Sequence, residues 1–413
     1  MSLPTQTTPG SPTSRVAKCT NEIKEILEAL GSSTEEVSRH EKQDLLSASK
    51  QLVEKLEEPE IGIWRVVFGP QANAALRCAI EMRIFEVFEA SGPSRNATKL
   101  AEQTGVEKLL MVRIMRALVS VGIFTESDEE TYAHNTRSKL FTNTPFRTLM
   151  RGMSSIMTPY LVKLPEYLSS ISFRSPGTSQ PNLFQYTMDT KMSYFDWLHS
   201  QPRELEIFTS AMQASSQRGQ GAAAKLLSSQ FQLEDVKTFK REASREIEVL
   251  IVDVGGGRGK ILNDLKTARP DLKGRMIVQD LPQEIDGREP APGIESMAYD
   301  FFTPQPIQGA HTYFFRHIFH DWPDSACITI LQQTISALKK GHSRILIVDS
   351  VLPDTGASMF GSLLDINMMP LSGIERTERH WRTLLEGQGL KVVKVQLPTT
   401  GGNRDCVLEA ILA

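Results

Sequence analysis

The residues from Val249 to Lys260, VLIVDVGGGRGK, constrain this chain more than any other stretch. The unbroken apolar run predicts a strand buried on both faces, the glycines a tight turn, and the residues beyond it a helix. That order places a ligand site at the carboxyl edge of an open α/β sheet. Gly255, Gly257 and Gly259 make the spacing G-x-G-x-G, whereas the dinucleotide fingerprint needs a glycine at 260, where Lys260 stands. The turn therefore suits a cofactor that requires close approach of the backbone and has no pyrophosphate. The competing reading is a tight βα turn that binds nothing.

The chain beyond this turn keeps the same alternation. From about Ile247, short apolar runs alternate with amphipathic stretches: VLIVDV, RMIVQD, HTYFFRHIF, RILIVDSVL, KVVKVQL and CVLEAIL. Strands separated by helical lengths predict a mostly parallel, doubly wound α/β sheet. Only PTTGGNRD separates the last two runs, too short for a crossover helix, so they are expected as an antiparallel hairpin at the sheet edge.

Acidic residues close several of these strands. Asp253 precedes the turn, placed to orient an ammonium group or the loop itself. Asp280 ends the next strand, where a carboxylate accepts hydrogen bonds from ribose hydroxyls. Asp300 suits the exocyclic amine of an adenine whose ring face Phe301 covers; a solvated loop aspartate beside core phenylalanines is the plainer alternative. HTYFFRHIFHDWPD then carries Arg316, His317 and His320 to the same edge. No carboxylate or third imidazole stands at ligand spacing to these histidines along the chain, so no metal site is expected. Asp349 closes the following strand and Glu375 lies in GIERT. One imidazole with two carboxylates is the set that deprotonates a phenol while holding the base in one tautomer. For either histidine the plainer alternative is a satisfied core residue.

The N-terminal half reads as helical. Residues 1–16 have the composition of a disordered tail. Residues 17–60 are expected as two amphipathic helices, one carrying Ile23, Ile26, Leu27 and Leu30, the other Leu45, Leu46, Leu52 and Leu56, with SSTEEVSRHEKQD linking them. A third helix over about 70–90 is apolar round much of its circumference, as expected of a helix buried in a domain or a dimer. Between Ala97 and Phe141, two helices and a short hairpin predict a winged helix. DNA binding is one use of that motif, but Glu107 and the acidic wing of Glu126, Asp128, Glu129 and Glu130 make a poor phosphate-binding face. Residues 147–245 are expected as helices interrupted by SFRSPGTSQPNL and SSQRGQGAAAKLL. The expected segments are thus a tail (1–16), N-terminal helices (17–60), a winged-helix-like helical domain (61–220) and an α/β domain (221–413).

Bulk properties exclude some functions. A net charge of −3 offers no field to recruit nucleic acid or anionic lipid. No apolar run reaches about 18 residues and no apolar targeting stretch is seen, so no membrane span and a cytoplasmic location are expected by default. Cys19, Cys78, Cys327 and Cys406 are too scattered for a zinc site or a disulfide framework.

Taken in order, VDVGGGRGK, the DLP of VQDLPQEI, YDFF, RHIFHDWPD, ILIVDSVLP and GIERT resemble the motifs of plant-type small-molecule O-methyltransferases and their fungal secondary-metabolism branch. The resemblance covers about Ile61 to Ala413. It implies a winged-helix dimerisation domain followed by a Rossmann-like class I methyltransferase domain, S-adenosylmethionine as cofactor, and an interlocked homodimer. It implies that His320 is the general base toward a hydroxyl of a small aromatic substrate, oriented by Glu375 and Asp349. It further implies that Gly255, Gly257, Asp280, Asp300, Phe301 and Arg316 contact the cofactor, and that Met212, Met368 and Met369 line the substrate pocket. Plant members commonly carry glutamate where this chain has Asp349, one methylene shorter.

Two other functions compete. Some fungal relatives of the same fold keep the sulfonium cofactor and use it to steer a dehydration or pericyclic rearrangement without transferring methyl. A cofactor-sensing transcriptional regulator built on the winged helix is the reading from another class, and the acidic wing argues against it.

Overall fold

The computed structural model describes residues 12–32, 38–91, 94–177, 181–218, 222–231, 248–285, 292–397 and 405–413. They fall in two compact units, divided between Ala72 and Asn73. Residues 1–11 of the expected tail lie outside the described residues, and from Pro12 the chain is already helix α1 (Pro12–Ser32). Helix α2 (Arg39–Leu56) takes in RHEKQD, which corrects the expected linker. The cause is a capping box. The Ser38 hydroxyl accepts from the Glu41 N–H at 3.3 Å, while the Glu41 carboxylate accepts from the Ser38 N–H at 2.9 Å. Helix α3 (Pro59–Val67) follows with proline in its first turn. Its Ile61, Ile63, Trp64, Val66 and Val67 are exposed within this unit.

The helix expected over 70–90 is two helices, α4 (Gly69–Glu81) and α5 (Ile84–Ser91). Arg83 turns left-handed at φ 57°, and its N–H reaches Ile80 at 3.1 Å. Such a residue ends the run of i→i−4 bonds, and no glycine or proline in the sequence marks it. Helices α6 (Ala97–Thr104) and α7 (Lys108–Ser120) each end near a left-handed glycine, Gly105 and Gly122. The wing is three strands rather than two: β1 (Ser94–Asn96) pairs with β3 (Thr131–His134), which pairs with β2 (Phe124–Asp128). Ile84, Phe85 and Phe88 pack against Met111, Met115, Phe124 and Phe141 to form its core. Lys108 forms an ion pair with Glu130 at 2.7 Å, so one of the wing's acidic residues engages a cation of the second helix.

Helix α8 (Thr144–Ser170) lies so close to α11 (Pro202–Arg218) that a Cβ on Gly152 would sit 2.5 Å from that of Ala211. Phe184 of α9 (Leu183–Met188) and Tyr194 and Leu198 of α10 (Tyr194–Ser200) join Tyr160 of α8 in an aromatic cluster. The expected lead-in at AAAKLL is itself a helix, α12 (Ala222–Ser228), whose Leu227 is buried against Leu262 and Leu265.

Seven strands of the described residues form the large sheet in the order β11-β12-β8-β7-β4-β5-β6. These are β4 (Val249–Val254), β5 (Arg275–Asp280), β6 (Glu295–Ala298), β7 (Thr312–Arg316), β8 (Arg344–Asp349), β11 (Leu390–Gln396) and β12 (Cys406–Leu412). All pairs are parallel except β11·β12 and β12·β8, so the C-terminal hairpin stands at one edge as expected. The chain runs from β4 outward to β6, then returns to the other side of β4 as β7. That reversal opens a crevice at the carboxyl ends of β4 and β7, the place where such sheets bind ligands. The short parallel pair β9 (Val351–Leu352) and β10 (Arg376–Thr377) ties GIERT to the end of β8. Among the described residues no helix is long and apolar enough to cross a membrane. The four-segment division given above remains our proposal for how function is distributed along the chain.

Candidate active site

The glycine turn leaves β4 into the helix Lys260–Ala268, with Gly255, Gly257 and Gly259 all at positive φ. Gly255 and Gly256 donate their N–H groups to the Gln279 carbonyl at 2.8 and 3.2 Å, pinning the turn to β5. The Asp280 carboxylate accepts the N–H of Gly257 at 2.7 Å and that of Leu281 at 2.8 Å. A Cβ on Gly255 or Gly256 would collide with Ile318 or Asp253, whereas one on Gly257 would meet nothing within 4 Å. Gly257 thus presents bare backbone to open space, the feature a close-lying cofactor needs.

Asp253 is buried beneath this turn, and its Oδ2 has no hydrogen-bond partner among the described residues. Burial, reinforced by nearby Asp280 and partly offset by Arg316, pushes its carboxyl up to about 7. Burial also raises Asp280, against the two backbone hydrogen bonds that favour its charge. An acidic cradle that Arg316 offsets only in part fits a cofactor bearing sulfonium and ammonium charges. Asp300 is exposed and caps its own turn, accepting the Phe302 N–H at 3.0 Å. Phe301 and Phe302 meet Trp322 edge-on at 6.0 and 4.9 Å, which joins the YDFF segment to the HDW turn.

Beyond β7 the chain makes a 3-10 turn, Phe319–Asp321, that carries His320. Its Nδ1 lies 2.9 Å from the Glu375 carboxylate and 3.8 Å from that of Asp349, and its Nε2 lies 3.5 Å from Asp321. Glu375 therefore makes the orienting hydrogen bond, while Asp349 acts only through charge. The methylene missing from Asp349 agrees with that gap. Along the chain no carboxylate has ligand spacing to the histidines, but in space the ligand-capable atoms of His320, Asp349 and Glu375 gather within 4.8 Å. The sequence-based argument from spacing is corrected to that extent. The contact between His320 and Glu375 is a hydrogen bond, and among the described residues Asp349 Oδ2 and Glu375 Oε2 are buried without partners.

Burial by itself would lower the His320 pKa. Asp349, Asp321 and Glu375 outweigh it and push the ring up to about 10. Burial raises both Asp349 and Asp321, each against the pull of His320.

Two residues that sequence reasoning missed hold this turn in place. Arg376 is fully buried; it donates to the carbonyls of Phe319 and Trp322 at 2.8 Å each and to Asp324 at 2.8 and 3.0 Å, and it lies over the Trp381 ring. Gly373 packs on the His320 carbonyl, where a Cβ would stand 2.2 Å away. Their only signal was position beside Glu375 in the motif. Arg316 is drawn to buried Asp405, with Nε and Nη2 both 3.0 Å from Oδ2. Asp405 itself ends the PTTGGNRD connection, where a loop aspartate draws no notice. Met369 packs on the aromatic cluster around Tyr194, Met368 ends the helix Met359–Met368, and Met212 is exposed on α11.

A glycine turn with acidic strand ends beside it, at the reversal point of a mostly parallel sheet, defines a Rossmann-like cofactor-binding domain. The chain belongs to the O-methyltransferase family: its O-methyltransferase domain matches residues 182–391 and its O-methyltransferase dimerisation domain residues 64–144. It is an S-adenosylmethionine-dependent O-methyltransferase. Demethylsterigmatocystin 6-O-methyltransferase of Aspergillus parasiticus is 31% identical over 353 residues, 84% of this chain and 89% of that one. Methyltransferase cfoC of Aspergillus candidus is 33% identical over 87% of this chain and 88% of its own. Among solved structures, OxaC in complex with SAH and oxaline matches with a TM-score of 0.78 and 28% identity, covering 98% of this chain and 100% of that one. LepI in complex with SAM matches at 0.76 and 26%, with the same coverage.

Proposed function

We propose that this enzyme methylates a hydroxyl of a small aromatic secondary metabolite, with His320 as general base. The observation that carries the reading is the 2.9 Å contact between His320 Nδ1 and Glu375. Glu375 accepts Nδ1–H, so neutral His320 keeps its lone pair on Nε2, free to take a hydroxyl proton. When bound, S-adenosylmethionine supplies a methyl group on a sulfonium, and the residues of this chain align the acceptor and take its proton. Gly255, Gly257, Asp280, Asp300, Phe301 and Arg316 would hold that cofactor, while Met212, Met368 and Met369 would line the substrate side. Similarity to an enzyme named for a sterigmatocystin hydroxyl and to a structure holding oxaline supports an aromatic acceptor. The dimerisation-domain match and the bare apolar face of α3 support a homodimer.

A base pushed up to about 10 is matched to a phenol, whose reference pKa is also about 10. Because the pKa is raised, the neutral form is scarce at neutral pH and grows as pH rises. With an aromatic hydroxyl acceptor, kcat/KM is expected to climb about tenfold per pH unit across the neutral range and level off toward the base's pKa. A flat profile over that range would count against His320.

Asp280→Ala is expected to weaken cofactor binding by about tenfold or more, measured by calorimetry with S-adenosylhomocysteine. It removes a charged acceptor and also frees the Gly257 N–H.

A second reading is favoured by the LepI match and by a neighbour described as a pericyclic reaction enzyme. In it the cofactor stays intact and the site steers a rearrangement. Labelled methyl from the cofactor decides between them. Label in the product supports transfer, and turnover without cofactor consumption supports the second reading.

A further inference from the structure

A second histidine stands beside the proposed base, and the methyl-transfer chemistry described above does not use it. His317 follows directly on β7, in the left-handed region at φ 52°, where a residue with a Cβ is disfavoured. Its N–H is held by the Val348 carbonyl at 3.0 Å. The ring centroids of His317 and His320 lie 5.5 Å apart at 47°. The two rings are therefore immediate neighbours. The side chain of His317 is 41% exposed against 17% for His320, so it is the nearer of the two to solvent.

Asp405 decides what His317 can do. It is buried, and its Oδ1 lies 2.8 Å from His317 Nε2 while Oδ2 receives Arg316. Burial would raise its carboxyl, but the hydrogen bond and charge of His317 and the charge of Arg316 prevail and hold it down to about 2. An ionised Asp405 accepts Nε2–H, which leaves the lone pair of neutral His317 on Nδ1. Nδ1 has no partner among the described residues. The charged and titratable groups facing the ring are Asp405 from the connection before β12, Arg316 from β7, His320 and Asp321 from the 3-10 turn, and Asp349 from β8.

We propose that the His317–Asp405 pair is the proton exit of the active site. The inference rests on His320 as the base. A proton taken from the hydroxyl sits on an imidazole enclosed by Glu375, Asp349 and Asp321, which hold it tightly and slow its escape to water. It passes from His320 Nε2 to a water, and that water gives a proton to His317 Nδ1. His320 is then neutral again, and His317 carries the proton on Nδ1 while its Nε2–H stays on Asp405. The same proton on Nδ1 is released to solvent, which restores both rings. No other bond is made or broken.

His317→Gln is the test, since the glutamine amide reaches the place of Nε2 and can still donate to Asp405 but accepts no proton of this kind. In the full-length protein with ¹⁵N-labelled histidine and S-adenosylhomocysteine bound, solvent exchange of the His320 ring N–H is followed by NMR. The proposal expects exchange slowed at least about tenfold in the variant and restored by free imidazole in the buffer. Exchange within twofold of the parent would overturn it. Slowed exchange that imidazole does not restore would also overturn it, since it points to a structural role. Failure of the base reading shows separately, as methyl transfer that survives in His320→Asn.

Discussion

Replacing His320 with asparagine is expected to lower methyl transfer about 10²- to 10⁴-fold while cofactor affinity stays within about twofold. Asparagine is the informative choice because its side-chain amide takes the place of Nδ1 and keeps the donor to Glu375. What disappears is the proton acceptor at Nε2. The cofactor contacts proposed for the glycine turn and Asp280 belong to β4 and β5 and are left intact. Methyl transfer is read with labelled cofactor and binding by calorimetry. Activity within about threefold of the parent would defeat the base assignment, and a matching loss of cofactor affinity would show a broader disruption.

Arg376→Ala is expected to destabilise the 73–413 unit by about 3 kcal/mol, at the lower end of the cost of breaking a buried pair because Asp324 is partly exposed and regains water. The carbonyls of Phe319 and Trp322 lose their donors together. Urea unfolding followed by tryptophan fluorescence measures this, since Trp381 lies against the lost guanidinium. Turnover should also fall by about 10²-fold, because Arg376 fixes the turn that carries His320 and a misplaced base loses alignment. A variant as stable as the parent would show that the backbone contacts of Ile374 with His320 hold the turn unaided.

The legible parts of this protein were those whose physics is local. The strand, glycine turn and helix from Val249 and the edge hairpin follow from short-range rules. One local signal goes unread and one break has no local signal. Ser38 and Glu41 carry a capping box three residues apart, hidden by the polar stretch around them. The break at Arg83 has no marker, because tertiary packing of Ile84, Phe85 and Phe88 overrides helical continuity there.

For the site, sequence alone determined the candidate chemical groups: the glycine turn, the acidic strand ends, and His320 with Asp349 and Glu375. Tertiary structure decided which of them meet. Parallel pairing of β9 with β10 brings Glu375 to His320 across 55 positions of sequence and leaves Asp349 at 3.8 Å. Antiparallel insertion of β12 beside β8 carries Asp405 to Arg316 and His317, so that a residue taken for a cofactor contact is also an anchor for a second imidazole. The reason is physical: residue type sets which proton or charge a side chain offers, and only the sheet order sets the few ångströms over which hydrogen bonds and buried charges act.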